Sequence, residues 1–174
     1  VDSAGLRYTD GPTVEVDVLI DAPTEAVWEL VTDMSLPSRF SGEFQGAEWL
    51  DGATGPAVGA RFVGTNEHPA IGTWQTTSTI VEYQPGRCLE YAVQDPAQPA
   101  ARWRITLEPE GDRTRLRQWM RIGPGPSPLR SAIEAAPEKE ARILDRRMSE
   151  LRRNMTATVR GIKELAEAAR GGPA

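Results

Sequence analysis

The chain has 174 residues, 39% of them hydrophobic and 26% charged, with a formal charge of −5. That composition is ordinary for a water-soluble globular domain, and no apolar run approaches bilayer length. The negative charge argues against non-specific attraction to nucleic acid or to anionic membrane, and the single cysteine, Cys88, excludes an intrachain disulfide. No charged-then-apolar segment opens the chain, so the expected location is cytoplasmic, with Val1 not expected to be the native start.

Thr13 to Ile20 alternates Val14, Val16, Val18 and Ile20 with Glu15, Asp17 and Leu19, which predicts a half-buried strand. Asp21-Ala22-Pro23-Thr24-Glu25 announces a helix, since proline tolerates the first turn and Glu25 suits its positive end. Val27, Trp28, Leu30 and Val31 give that helix a buried face, and Met34-Ser35-Leu36-Pro37 ends it.

Strands are then predicted over Glu43–Leu50, Gly59–Asn66, Gly72–Tyr83, Cys88–Gln94, Ala101–Glu108 and Thr114–Ile122, separated by turns rich in glycine, proline and aspartate. Short connections between consecutive strands predict an antiparallel meander that curls. Leu129–Ala136 reads as a short helix, because Pro137 would break a longer one.

From Pro137 to Ala169, Leu144, Met148, Leu151, Met155, Val159, Ile162, Ala166 and Ala169 recur every three or four residues, one apolar stripe on one long helix. Glu138 to Arg170 holds nine basic and six acidic residues, +3 against −8 for the remainder. Arg146, Arg147, Arg152 and Arg153 read as a solvated face complementary to acidic surface. The fold class expected is α+β, a seven-stranded curved antiparallel sheet wrapped around a long C-terminal helix, with short helices after the first strand. No repeat or composition shift divides residues 1–174, so one domain is expected, its core spanning residues 13–169. The last residues, 171–174, are expected to fray.

Alternation assigns faces. In the last strand Leu116, Gln118, Met120 and Ile122 share the inward side, because Arg115, Arg117 and Arg121 cannot be core. Trp103, Ile105 and Leu107 face inward in the strand before it, with Leu89, Tyr91 and Val93 on one side of the fifth strand and Phe62, Gly64 and Asn66 on one side of the third. In the fourth, Trp74, Thr76, Ser78 and Ile80 are favoured inward; the second strand has no clear orientation. So many polar groups among large apolar ones suit a ligand-filled cavity better than a plain core, where each unsatisfied group costs about 1–3 kcal/mol.

The block Asp21-Ala22-Pro23-Thr24-Glu25-Ala26-Val27-Trp28-Glu29-Leu30-Val31-Thr32-Asp33 resembles the opening of the polyketide cyclase/dehydrase and lipid-transport family. Glu48-Trp49-Leu50-Asp51-Gly52, Gly59-Ala60-Arg61-Phe62, Trp74-Gln75-Thr76-Thr77-Ser78, Tyr83-Gln84-Pro85-Gly86-Arg87, Trp103 with Leu107-Glu108-Pro109-Glu110-Gly111, and Asn154-Met155 through Glu167 are similar to its later elements. The resemblance implies a helix-grip fold, as in the START and birch-pollen-allergen-like proteins, with an elongated cavity between sheet and long helix. It implies binding of a small hydrophobic molecule, lipid, polyketide-like or aromatic, with cyclase, aromatase or dehydratase chemistry as the alternative.

The ligand-binding residues expected on these grounds are Phe62, Asn66, Trp74, Thr76, Ser78, Tyr91, Trp103, Gln118 and Met120 from the sheet. Met148, Leu151 and Met155 are expected to roof them, joined by Val159. No catalytic set stands out. His68, the lone histidine, is expected in an exposed loop at the cavity mouth, with an acid–base pair formed with Glu67 as the rarer reading. Three proline-rich connections, around His68, over Asp95–Ala100 and over Gly123–Pro128, are expected at that mouth. One histidine and one cysteine without ligand spacing offer no metal site, and no glycine-rich loop offers nucleotide binding, so no metal or cofactor is expected. The state expected is monomer or homodimer, with no nucleic-acid partner and no integral membrane association.

Overall fold

The computed structural model describes residues 5–171, so the fraying expected of residues 172–174 and the status of Val1 lie outside the described residues. Seven strands form one antiparallel sheet: β1 (Thr13–Ile20), β2 (Phe44–Trp49), β3 (Arg61–His68), β4 (Gly72–Gln84), β5 (Cys88–Val93), β6 (Ala101–Glu110) and β7 (Arg113–Ile122). Their spatial order, β1-β7-β6-β5-β4-β3-β2, puts the first strand beside the last and leaves β1 and β2 as the two edges. Three helices complete the fold: α1 (Thr24–Val31), α2 (Pro128–Ala135) and α3 (Glu140–Arg170), the last of 31 residues. Pro137–Lys139 is a separate 3-10 turn, so the long helix starts three residues later than the apolar stripe alone predicts.

The β3 strand runs two residues beyond its expected end, to His68, because Glu67 and His68 pair with Thr73 and Gly72 of β4. Bulges explain what alternation leaves open. In β2 the pairing slips between Phe44 and Gly46, so Phe44 and Ala47 stand opposite Asn66 and Gly64 on the inward side despite their odd spacing. In β4 a slip between Ile80 and Glu82 turns Tyr83 inward opposite Leu89.

Helix α3 lies along β1 and β7 and over α1. Leu144, Leu151 and Met155 pack with Val14, Met120, Ile122 and Ile133, while Val159, Ile162 and Ala166 pack with Ile20, Val27, Val31, Leu107 and Leu116. A third cluster, Met34, Phe62, Ile80 and Leu89, sits under the opposite side of the sheet's curve. Ala169, the last member of the expected stripe, is exposed.

Side chains cap both sheet edges. Along β1, Arg152 donates to the Glu15 carbonyl at 3.1 Å and Lys163 to the Leu19 carbonyl at 2.9 Å. Along β2, the Ser35 hydroxyl donates to the Ala47 carbonyl at 2.7 Å and accepts from the Ala47 amide at 3.1 Å. These satisfy backbone groups that an edge otherwise presents to another chain.

Candidate functional site

The register sets the inward residues in rows across the concave face. Val14, Met120, Trp103, Tyr91 and Ile80 stand side by side, as do Val16, Gln118, Ile105 and Leu89, and at one end Trp74 stands opposite Asn66 and Thr76 opposite Gly64. The face assignments for the third, fourth, fifth, sixth and seventh strands therefore hold along these rows.

Aromatic rings line the middle. Trp49 meets Phe62 edge-on at 5.6 Å, Phe62 meets Tyr91 edge-on at 5.1 Å, and Tyr91 stacks near-parallel to Trp103 at 6.5 Å. This chain of rings links the cluster under α3 to the cluster around Phe62.

Twelve residues were expected to bind ligand, and the structure separates them. Trp74, Thr76, Asn66, Tyr91, Trp103 and Gln118 are half-buried on the concave face, and Met148 is half-buried on α3, beside the depression that Arg152 and Arg153 help line. Phe62, Ser78, Met120, Leu151 and Met155 are buried at 5% or less, packed into clusters or strand pairs behind that surface. The roof expected of Leu151, Met155 and Val159 is thus largely engaged with β1, β7 and α1, and Met148 is its half-buried member.

Two polar groups stand out on this face. The Gln118 Oε1, between Val16 and Ile105, is buried and accepts no hydrogen bond from the protein. Tyr91 makes no side-chain hydrogen bond among the described residues, and burial pushes its phenol pKa up, so it is a neutral O–H donor. An orphaned acceptor and an un-ionised donor thus stand on the same aromatic wall.

His68 is not in an exposed loop, and its partner is not Glu67. As the last residue of β3 it continues the Phe62–Gly64–Asn66 face inward, with a side chain 16% exposed. Its Nδ1 accepts the Ala70 amide proton at 3.1 Å, so the proton sits on Nε2, 3.2 Å from the Glu150 Oε2 of α3. Glu67 points to the other, exposed face. Glu150 also accepts from Arg146 at 3.1 Å, and Arg147 grips Glu43 through two bonds of 2.6 Å. Glu43, Arg147 and Glu150 were not foreseen as a site; the two-residue step from Asn66 to His68 was the signal that this end of β3 faces α3.

The expected mouth is partly sealed. The connections 95–100 and 123–128 are joined by backbone bonds, Gly123 to Ala100 and Gly125 to Pro99, and the Tyr8 hydroxyl donates to the Gly125 carbonyl at 2.6 Å. Two depressions lie at the edges of the concave face rather than across its middle: Val14 and Met148 help line one, and Ala47 and Trp49 help line the other. One, of about 670 Å³, runs along the solvent side of α3 past Arg152, Arg153 and Arg160; the other, of about 400 Å³, lies among Glu29, Asp33, Glu48 and Trp49. Among the described residues no group of three histidine, cysteine or acidic side chains converges as metal ligands, and no helix is long and apolar enough to cross a membrane.

Comparison with known proteins places this architecture. The family described as polyketide cyclase/dehydrase and lipid transport matches residues 11–156. A polyketide-cyclase-like protein from Corynebacterium glutamicum superposes with a TM-score of 0.67 at 26% identity, over 91% of this chain and 93% of its own. The Zhui aromatase/cyclase from Streptomyces sp. R1128 gives 0.63 at 19% identity, covering 93% and 99%. The di-domain aromatase/cyclase StfQ of the steffimycin biosynthetic pathway gives 0.68 at 17%, covering 92% of this chain and 52% of that one. The last two likenesses are of fold. No curated protein matches the sequence.

Proposed function

Because the chain belongs to the polyketide cyclase/dehydrase and lipid transport family, we propose that it encloses a small hydrophobic ligand between the concave face of the sheet and α3. The observation that carries this reading is the buried, unpartnered Gln118 Oε1 on a wall that keeps accessible aromatic surface. A packed core would bring a donor to that acceptor or replace it with carbon. Trp74, Tyr91, Trp103 and Met148 form the apolar walls; Asn66, Thr76, Tyr91 and Gln118 orient the ligand. Phe62, Ser78, Met120, Leu151 and Met155 hold those walls in place. The ligand is uncharged where it meets the middle of the sheet, since the rows through Tyr91 and Gln118 carry no charged side chain on this side.

Native mass spectrometry after gentle purification, with titration of N-phenyl-1-naphthylamine and a fluorescent fatty acid, tests this. Saturable binding is expected. For an aromatic probe carrying a hydroxyl, Gln118→Leu is expected to weaken affinity about tenfold, the worth of one hydrogen bond, while the unsubstituted hydrocarbon is unaffected. A wild-type protein with no bound species and no probe affinity overturns the reading.

A second reading rests on the solved aromatase/cyclases that share the fold: the same wall holds a reactive polyketide-like chain in the geometry for ring closure or dehydration. It requires turnover of a poly-β-ketone mimic that is lost in Tyr91→Phe or Gln118→Ala while the fold persists. Activity equal to that of a heat-denatured control excludes it.

A further inference from the structure

We infer that Glu43, His68, Arg147 and Glu150 form a polar clasp that gates passage of ligand between α3 and the β2–β3 side of the sheet. The inference rests on the proposed enclosure of a ligand beneath α3. Along its other flank, α3 is fixed to β1 and β7 by packed side chains from Leu144 to Met155. Toward β2 and β3 the attachment is of a different kind. Among the described residues, the hydrogen bonds and ion pairs that join α3 to this side are Arg147 to Glu43 and Glu150 to His68. About three turns beyond Glu150, the ring of Phe40 lies against Gly161.

The two polar attachments act as one unit. Arg147 Nη1 lies 2.6 Å from Glu43 and 3.6 Å from Glu150, so a single guanidinium faces both carboxylates. The four side chains are 13–20% exposed, which places them at a boundary between solvent and interior. Behind them the concave face ends in half-buried Asn66 and Trp74, the accessible end of the proposed site. Neighbouring connections at this end of the sheet are closed by backbone bonds that have no reason to open. The side-chain ion pairs at the rim, by contrast, can part without breaking backbone structure, because their charged ends are solvated by water once the side chains turn outward. Entry therefore requires the Arg147–Glu43 grip to part and the N-terminal half of α3 to lift from the β3 end, while the apolar flank on β1 acts as the hinge side.

Stopped-flow binding of N-phenyl-1-naphthylamine tests the gate in the full chain. In Glu43→Gln, and separately in Arg147→Met, association and dissociation are both expected to rise about tenfold, the rate change one charge-assisted bond carries in a barrier. The equilibrium affinity is expected to stay within about twofold, because a gate affects entry and exit alike. Amide hydrogen exchange is expected to quicken over residues 140–152 and not over β5 to β7. Uptake with unchanged rates in both variants, or a change in affinity through dissociation alone, overturns the gate and leaves the ligand site standing. A wild-type protein that takes up no probe overturns the ligand site, and the gate with it.

Discussion

Glu90 is a carboxylate on the convex face of the sheet, yet only 3% of it is exposed. Its cross-strand neighbour Arg104 donates to one oxygen at 2.7 Å and Arg102 to the other at 3.1 Å, and Arg104 lies over the Trp119 ring. The arginine side chains shield the carboxylate, the indole steadies Arg104, and the guanidinium groups neutralise the charge. Glu90→Gln removes the charge and leaves two cations sharing a neutral amide. A loss of about 1–3 kcal/mol is expected in urea unfolding, at the lower end because both arginines are partly in water. An unchanged midpoint would show that the pairs contribute nothing. Residue faces such as this were legible in the sequence where charge forced the answer: three arginines on one side of β7 leave Leu116, Met120 and Ile122 no choice. The burial of Glu90 was not legible, since it depends on which arginines the register brings beside it.

Helix α3 illustrates how far an element can be read from its own pattern. Its stripe gave the length and the buried side, because a helix of 31 residues repeats that signal many times. The position of Gly161 in it carried no such signal. A methyl group there would stand 2.3 Å from the Phe40 ring, so the close approach of the Leu36–Glu43 segment to the helix depends on glycine. Alanine in a helix gains up to about 1 kcal/mol over glycine, but forcing a carbon into a packed ring costs about 1–3 kcal/mol. Gly161→Ala is therefore expected to destabilise the protein, and to stabilise it when Phe40 is first replaced by alanine. A thermal-melt double-mutant cycle reads both signs. The strands show the converse lesson. Where alternation is regular, as in β7, the face follows from the sequence; where a bulge adds a residue, as in β2 and β4, parity fails and only the register reveals Phe44 and Tyr83. His68 belongs with these, since the expected strand stopped two residues short of it.

Carboxylates held by local and distant partners set the response of the whole molecule to acid. Burial pushes the Glu150 carboxyl up, but bonds from Arg146 and His68 and the charge of Arg147 outweigh it and hold the group below the ordinary 4.5. Glu110 is held low by its bond from Arg115, and Glu167 by Lys163 and the Asp21 amide. A carboxyl whose folded pKa is depressed contributes stability above its unfolded value, and loses it as pH falls through the folded one. The melting temperature is expected to be flat from about pH 7 to pH 5 and to decline below about 4.5. A melt series that declines no further in wild type than in Glu150→Gln would remove Glu150 from that account. The overall architecture was legible because meander, short connections and one long helix permit few arrangements. The closure of the expected mouth was not, because it is made by backbone bonds between loops and by Tyr8, whose sequence pattern says nothing about partners 117 residues away.

The capped margins of the sheet have a consequence for what this fold can become. Arg152 and Lys163 bond carbonyls along β1 and Ser35 bonds Ala47 along β2, so each free margin carries side chains at positions where a further strand would pair. None of the three belongs to the proposed ligand-facing wall. Side chains on that wall can therefore change without disturbing the bonds that cap the margins, a division of labour between the face of the sheet and its rims.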